Sequence, residues 1–469
     1  MLTEADLDRL RPRASEIAAA EGKRLTERTR ESARMFEQAS AYLPLGVASS
    51  FQTMDPYPIY LARGAGSRLW DVDGNAYLDY HNGFGVTLCG HAHPKIVEAI
   101  DRAARNGTHF AAMTEAAVTL AAELCRRFRL DRVRFANSGT EATMEAIRVA
   151  RAATGRSVLV KAEGAYHGHH DLVMISVAPD PGDLRQPAAG PDGMAPGQAS
   201  LPRVPFSKGI PEEIPRQVLV VPFNDIAALE QVLNERGTEV AAFIIEPVMM
   251  FAGIVLPEPG YLERVRELCT QHGVVLIFDE VKTGVNIAAG GATELFGVRP
   301  DLACFAKAIG GGVPIGAFGG RADVMEIIER GESHLGTFNG NPLAMNAGVA
   351  ALTEVLTPAA HQHIADIGTQ LATGCRRALA ENSIAAHVID LGAKGGVGYR
   401  PAPLRNYRDS FDCAPEFVDS SSAALMNRGV FQIPGDKGQW MLSVQHTADD
   451  IAAYIEAFGD YCAMLAGGN

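Results

Sequence analysis

The strongest constraint on this chain is an alternation of short apolar runs with helix-patterned segments. The runs lie at 157–161, 218–221, 240–245, 274–278 and 315–318, and turn-forming or charged residues bound each of them. A strand that is apolar without alternation is buried on both faces. Helices packed on both sides of a mostly parallel sheet meet that demand, so the expected class is α/β. Glycine, 48 of 469 residues, falls between the runs and the helical patterns, where such a fold turns from strand to helix.

The rest of the chain reads less regularly. Residues 16–42 predict a surface helix with a break at Gly22, and 67–72 a strand followed by a turn at 73–75. The stretch 179–215 holds nine prolines and excludes regular structure. A loop that long is either the rim or lid of a site or an insertion, and the rim is the expectation. The last helix is expected over 448–465. A net charge of −13 argues against a nucleic-acid protein, which needs a basic face. With 47% hydrophobic and 21% charged residues, wholesale disorder is excluded too. No apolar run reaches the ~18 residues of a membrane-spanning helix. Residues 1–43 lack the basic start and apolar centre of a signal peptide. Seven scattered cysteines without a CxxC pair fit reduced thiols, hence a cytoplasmic location.

Three segments carry chemistry. In Val133-Arg-Phe-Ala-Asn-Ser-Gly-Thr-Glu141 a short strand meets a tight turn and a helix start. Ser138 with Glu141 fits a capping box, and the free N–H groups there would also suit a phosphate, helped by the Ser138 and Thr140 hydroxyls. Capping alone explains the pattern equally well. No G-x-G-x-x-G opens this helix, which leaves dinucleotide readings weak. The run Val274–Phe278 ends in Asp279-Glu280, and a carboxylate at the end of a buried strand is costly without a cation. Ligands of open α/β sheets bind beyond such ends. Lys307 lies in the apolar stretch Leu302-Ala-Cys-Phe-Ala-Lys-Ala-Ile-Gly-Gly-Gly312. Desolvation there makes a nucleophilic amine, unless the lysine reaches solvent. A phosphate cradle, an acid for a pyridinium nitrogen and a nucleophilic lysine are together what pyridoxal 5'-phosphate requires.

The residues also resemble a known family. Gly90-His-Ala-His-Pro94, Asn137-Ser-Gly-Thr-Glu141, Tyr166-His-Gly168, Glu246-Pro-Val248, Asp279-Glu-Val281, Ala306-Lys307 and Gly336-Thr-Phe-Asn-Gly-Asn-Pro342 follow the motif order of the class III pyridoxal-phosphate aminotransferases. Within them the chain is most similar to the glutamate-1-semialdehyde aminomutase branch. The resemblance implies the type I fold, with an N-terminal helical segment at 1–45, a large domain at 91–344, and a smaller α+β domain from 46–90 and 345–469. It implies Lys307 as the Schiff-base lysine, Asp279 at the ring nitrogen, and Ser138, Gly139 and Thr140 at the phosphate. Tyr166 and Val281 are implied on opposite ring faces and Glu246 near the ring substituents. Thr337 is implied at the partner's phosphate, in a homodimer.

Two positions depart from the aminomutase pattern. Gln52 stands where the carboxylate-binding arginine is expected, and Gly438 where a glutamate is expected. A bidentate guanidinium–carboxylate pair is then missing at position 52. Arg400 and Arg405 are candidate replacements, and Phe84 is a candidate aromatic wall for substrate or a plain core residue. The expected activity is therefore transfer of an amino group from an amine or amino acid to a keto acid. The alternative is the aminomutase reaction itself. A metal-dependent hydrolase using His91, His93 and the histidines of 167–170 is a remote third reading.

Overall fold

The computed structural model describes residues 3–185, 200–433, 435 and 437–467. By its packing the chain divides into two units. One comprises 1–94, 358–403 and 412–469; the other comprises 95–357 and 404–411.

The first unit opens with helices. Gly22 does not break them. A single helix runs through it, Arg11–Arg28, and the break falls at Thr29, whose φ of −125° and ψ of 43° leave the helical region. Ala14, Ile17 and Leu25 are buried on this helix. Asn427, at the end of the Pro415–Asn427 helix, donates to the Glu21 carbonyl at 2.8 Å. Tertiary support on both sides of Gly22 outweighs the ~1 kcal/mol propensity cost of one glycine. Three strands follow: β1 (Leu61–Ala65), β2 (Arg68–Asp71) and β3 (Ala76–Asp79).

The second unit is built on seven strands. They are β4 (Arg132–Ala136), β5 (Val158–Ala162), β6 (Val218–Val221), β7 (Val240–Ile245), β8 (Val275–Asp279), β9 (Leu302–Ala306) and β10 (Gly316–Gly320). The sheet order is β4-β10-β9-β8-β7-β5-β6. β10 runs antiparallel to both neighbours, and the remaining pairs are parallel. Every residue of β5 to β10 is buried, which is why their sequences show no alternation. The helix Gly139–Thr154 lays Ala142, Ala146, Ile147 and Ala150 on this core and ends at Gly155, whose φ of +67° favours glycine.

The described parts of 179–215 hold 3-10 turns at Asp183–Arg185 and Ile214–Gln217, and Pro205 forms an isolated antiparallel bridge with Ile175. From Ser200 onward the chain runs beside the sheet. Leu201 N–H donates to the Val220 carbonyl at 2.8 Å, and Ile210 and Ile214 pack on the core. The rim expectation falls largely on 186–199, outside the described residues.

The first unit is completed by β11 (His387–Leu391), β12 (Lys394–Gly398), β13 (Val430–Phe431) and β14 (Gln439–Met441). They form the sheets β1-β2-β3-β13 and β11-β12-β14. A helix, Ala448–Leu465, ends the described chain. Among the described residues no single helix is long and apolar enough to cross a membrane.

Candidate active site

Asp279 and Lys307 leave the large sheet side by side. β8 and β9 are parallel neighbours with Asp279 paired opposite Cys304. Asp279 is the last residue of β8, and Lys307 follows the last residue of β9. Lys307 opens a 3-10 turn and has a φ of +52°. A non-glycine residue in that left-handed region costs on the order of 1–3 kcal/mol, and such strain concentrates at functional sites. The lysine is half-buried while all five residues of β9 are buried.

The start of the Gly139–Thr154 helix reaches the same place. Ser138 Oγ accepts from Glu141 N–H at 3.1 Å, and the Glu141 carboxylate accepts from Asn137 N–H at 2.7 Å. The next amides, Gly139 and Thr140, precede the first amide that donates within the helix, that of Ala142 to the Ser138 carbonyl. Among the described residues no protein acceptor meets them. A Cβ on Gly139 would lie 3.0 and 3.1 Å from the Val281 methyls and 3.6 Å from the Ala306 Cβ. The helix start, the segment after β8 and the end of β9 thus converge on one glycine. From below, a Cβ on Gly316 of β10 would stand 2.2 Å from the Ser138 carbonyl oxygen. The Tyr166–Gly168 loop closes the other side, since a Cβ on Gly168 would lie 2.7 Å from Thr140 Cα.

A buried polar layer lies beneath. His167 Nδ1 is 2.8 Å from Asp279 Oδ2, and Val281 N–H donates to Asp279 Oδ1 at 3.0 Å. Burial pushes His167 below the usual histidine range, against the pull of Asp279. A neutral ring then donates through Nδ1 to the carboxylate. Its Nε2 is buried with no hydrogen-bond partner among the described residues. Glu246 accepts from Tyr166 N–H and Met250 N–H, both at 3.0 Å. Burial first, and Asp279 second, raise its carboxyl to about 7. Burial lowers the Lys161 amine to about 7, opposed by Glu246 and Glu163, while its Nζ donates to the Ile175 carbonyl at 2.6 Å. The Tyr166 ring stacks on Phe251 at 5.3 Å between centroids.

Sequence reading placed His167 only in a motif and among possible metal ligands. Its partner Asp279 is 112 residues distant, so no local pattern signals the pair. In sequence, Lys161 reads only as the polar end of an apolar run. Thr337 is exposed, and two residues on Asn339 Oδ1 accepts from Asn137 Nδ2 at 2.9 Å. Among the described residues no three His, Cys, Asp or Glu side chains gather to hold a metal.

Within the first unit, Gln52 and Phe84 line one cavity of about 630 Å³. Neither Arg400 nor Arg405 lines it. Arg405 is instead paired with Glu258 at 2.7 Å in the second unit. At Gly438 a Cβ would lie 2.7 Å from the Val397 carbonyl oxygen and φ is +76°. Close backbone approach leaves no room for a glutamate side chain there.

The chain matches the aminotransferase class-III family over residues 50–433. It is 40% identical to the glutamate-1-semialdehyde 2,1-aminomutase of Sorangium cellulosum (strain So ce56), over 92% of this chain and 96% of the relative. An omega-transaminase structure from Sphaerobacter thermophilus superposes with a TM-score of 0.86 at 37% identity, covering 92% of this chain and 97% of the other. A transaminase solved with PLP bound gives 0.83 at 32% identity, over 94% and 98%. The second unit suits that cofactor: unpartnered helix-start amides for a phosphate, a buried acid held by a neutral histidine, and a lysine leaving the adjacent strand. This chain therefore belongs to the class III aminotransferase family and uses pyridoxal 5'-phosphate as its cofactor.

Proposed function

We propose that the chain is an aminotransferase that moves an amino group from an amine or amino acid to a keto acid. The observation that carries this reading is the meeting of the Gly139 helix start with the residues following Asp279 and preceding Lys307. Bound pyridoxal phosphate supplies an aldehyde that captures amines and a ring that draws electron density from the carbon bearing nitrogen. Lys307 holds the cofactor through its Nζ. Released from the cofactor, the same Nζ would stand as the base that takes a proton from the substrate carbon bearing nitrogen and gives it back. Asp279 keeps the ring nitrogen protonated, and His167 fixes the orientation of that carboxylate. Ser138, Gly139 and Thr140 bind the phosphate. Tyr166 and Val281 bracket the ring, and Glu246 lies by its substituents. Gln52 and Phe84 contact the substrate. Thr337 completes the phosphate site of a partner subunit in a homodimer.

A second reading, the intramolecular 2,1-amino shift, is favoured by the name of the Sorangium relative. Gln52 weighs against it, because glutamate-1-semialdehyde carries a carboxylate that an amide cannot pair with bidentately. A donor panel with pyruvate or 2-oxoglutarate, run beside glutamate-1-semialdehyde, decides between them. Conversion of the semialdehyde to 5-aminolevulinate faster than any transamination would install the second reading. For either reading, borohydride treatment of the cofactor-loaded chain is expected to leave a pyridoxyl mass on Lys307, and Lys307→Ala to lose both mass and turnover. Full turnover by that variant rejects the assignment.

A further inference from the structure

We infer that Arg408 is a positioning residue for the cofactor site: by clamping the buried carboxylate of Glu163 it fixes the 163–168 segment, which carries Tyr166 and His167. The inference rests on the roles proposed above for those two residues and lies wholly within the second unit.

The chain belongs to the first unit up to Pro403 and again from Asp412, but Leu404–Phe411 packs with the second unit. Several contacts seat this short strap. The Arg405 carbonyl accepts from Asn224 Nδ2 at 2.9 Å, and the Tyr407 hydroxyl donates to the Pro179 carbonyl at 3.2 Å. Leu404 and Tyr407 are buried. A Cβ on Gly164 would stand 2.3 Å from two carbons of the Tyr407 ring, so the ring lies directly on the backbone of the 163–168 segment.

Arg408 adds the charge. Its Nε and Nη2 donate to the two oxygens of Glu163 at 2.8 and 3.0 Å, a bidentate geometry open to arginine and closed to lysine. The Glu163 side chain is 2% exposed and that of Arg408 43% exposed. An ionised carboxylate so deeply buried is costly without a cation. Lys161, two residues away, directs its Nζ to the Ile175 carbonyl instead. Arg408 therefore supplies the counter-charge from the solvent side. Without it Glu163 must reach water, and the segment must move to let it.

That segment leads straight to the site. Glu163 N–H donates to the Val221 carbonyl at 2.9 Å as β5 ends, and Gly164, with φ of +80°, turns the chain away from the strand. Two residues on, Tyr166 N–H meets Glu246, and His167 then meets Asp279. The far end is tied to the Gly139–Thr154 helix, where Thr143 Oγ1 donates to the His167 carbonyl at 2.6 Å. Arg408 ties the near end. A site whose supporting contacts are cut on one side loosens by rotation of the side chains it carries.

Hydrogen exchange on the unaltered chain, with and without pyridoxal 5'-phosphate, is the first measurement. Since the strap and the cofactor order the same segment, loading is expected to slow exchange severalfold at 404–411 as well as at 163–168. No slowing at 404–411 overturns the inference. Arg408→Ala is expected to speed exchange at 163–168, to weaken cofactor affinity by roughly 2–30-fold in an absorbance titration, and to diminish the visible circular dichroism of the bound cofactor. Arg408→Lys, which keeps the charge and loses the fork, is expected to fall between. Arg156→Ala controls for stability alone. Arg156 Nη1 donates to the carbonyls of Gly237, Val240, His272 and Gly273, where β5, β7 and β8 begin, at the other end of these parallel strands from Glu163. That variant is expected to lower the urea midpoint and leave cofactor affinity and dichroism unchanged. Arg408→Ala with affinity and dichroism of the wild type, or altered no more than in Arg156→Ala, overturns the inference. Tyr166→Ala and His167→Leu separate it from the reading beneath it. A changed dichroism in those two with none in Arg408→Ala removes the clamp alone. An unchanged dichroism in both rejects their proposed roles, and the clamp with them.

Discussion

Two lysines of the large sheet follow apolar runs, and their positions separate their chemistry. Lys161 lies inside β5, fully buried, with its Nζ tied to the Ile175 carbonyl; Lys307 lies just past β9, half-buried on a strained turn. The argument that an apolar setting activates a lysine applies to both, and only the strand ends distinguish them. Lys161 has its own measurable consequence. Burial lowers its amine to about 7 in the folded chain, against 10.5 ordinarily. Between those values the unfolded chain binds more protons, so this lysine makes stability rise with pH across that window, by at most ~1.4 kcal/mol per pH unit. Lys161→Met is expected to remove the rise. Chemical denaturation of both proteins from pH 7 to 10 checks it, and a stability difference independent of pH rejects it. His167→Leu is expected to slow turnover by roughly 10–100-fold, since it removes a hydrogen bond to a charged group. Asp279→Asn is expected to slow it further. A His167→Leu enzyme at the wild-type rate means that Asp279 keeps its orientation unaided.

The Arg11–Arg28 helix shows where element-scale reading goes astray. Gly22 resembles a breaker, yet the helix passes through it and stops at Thr29, whose hydroxyl donates back to the Leu25 carbonyl at 2.7 Å. Local propensity was the weaker force, and packing against the Pro415–Asn427 helix the stronger. A Cβ at Gly22 meets nothing within 4 Å. Gly22→Ala is therefore expected to stabilise the chain by roughly 0.5–1 kcal/mol, read as a higher urea midpoint at unchanged slope. A lower midpoint shows that position 22 needs glycine for a reason outside the helix. The strand runs were more legible. Unbroken apolar sequence reports burial on both faces, and β5 to β8 and β10 lie within a residue or two of where that pattern places them. The antiparallel sense of β10 was not legible, because strand direction leaves no mark on a five-residue run.

At the scale of the molecule, the proposed homodimer makes a prediction that one chain alone cannot satisfy. If Thr337 serves the partner's phosphate, inactive Lys307→Ala subunits and impaired Thr337→Ala subunits are expected to complement each other. A mixed dimer holds one site with both residues intact. Mixing the two variants under exchange conditions and measuring transamination checks this. Activity no higher than that of Thr337→Ala alone returns Thr337 to a role within its own chain.

By itself the sequence determined the α/β class, the strand end that carries Asp279, the apolar stretch around Lys307, and the helix start at Ser138, because burial, turns and capping are written in adjacent residues. The pyridoxal-phosphate reading followed from those three segments together. Tertiary structure alone decided what lies next to what. His167 meets Asp279 across 112 residues, Gly139 receives Val281 from beyond β8 and Ala306 from the end of β9, and the left-handed turn of Phe84 is held by Asp79 and Met441. Such contacts arise from chain crossings that no local spacing encodes, so the neighbours of each site residue became readable only once the strands were in place.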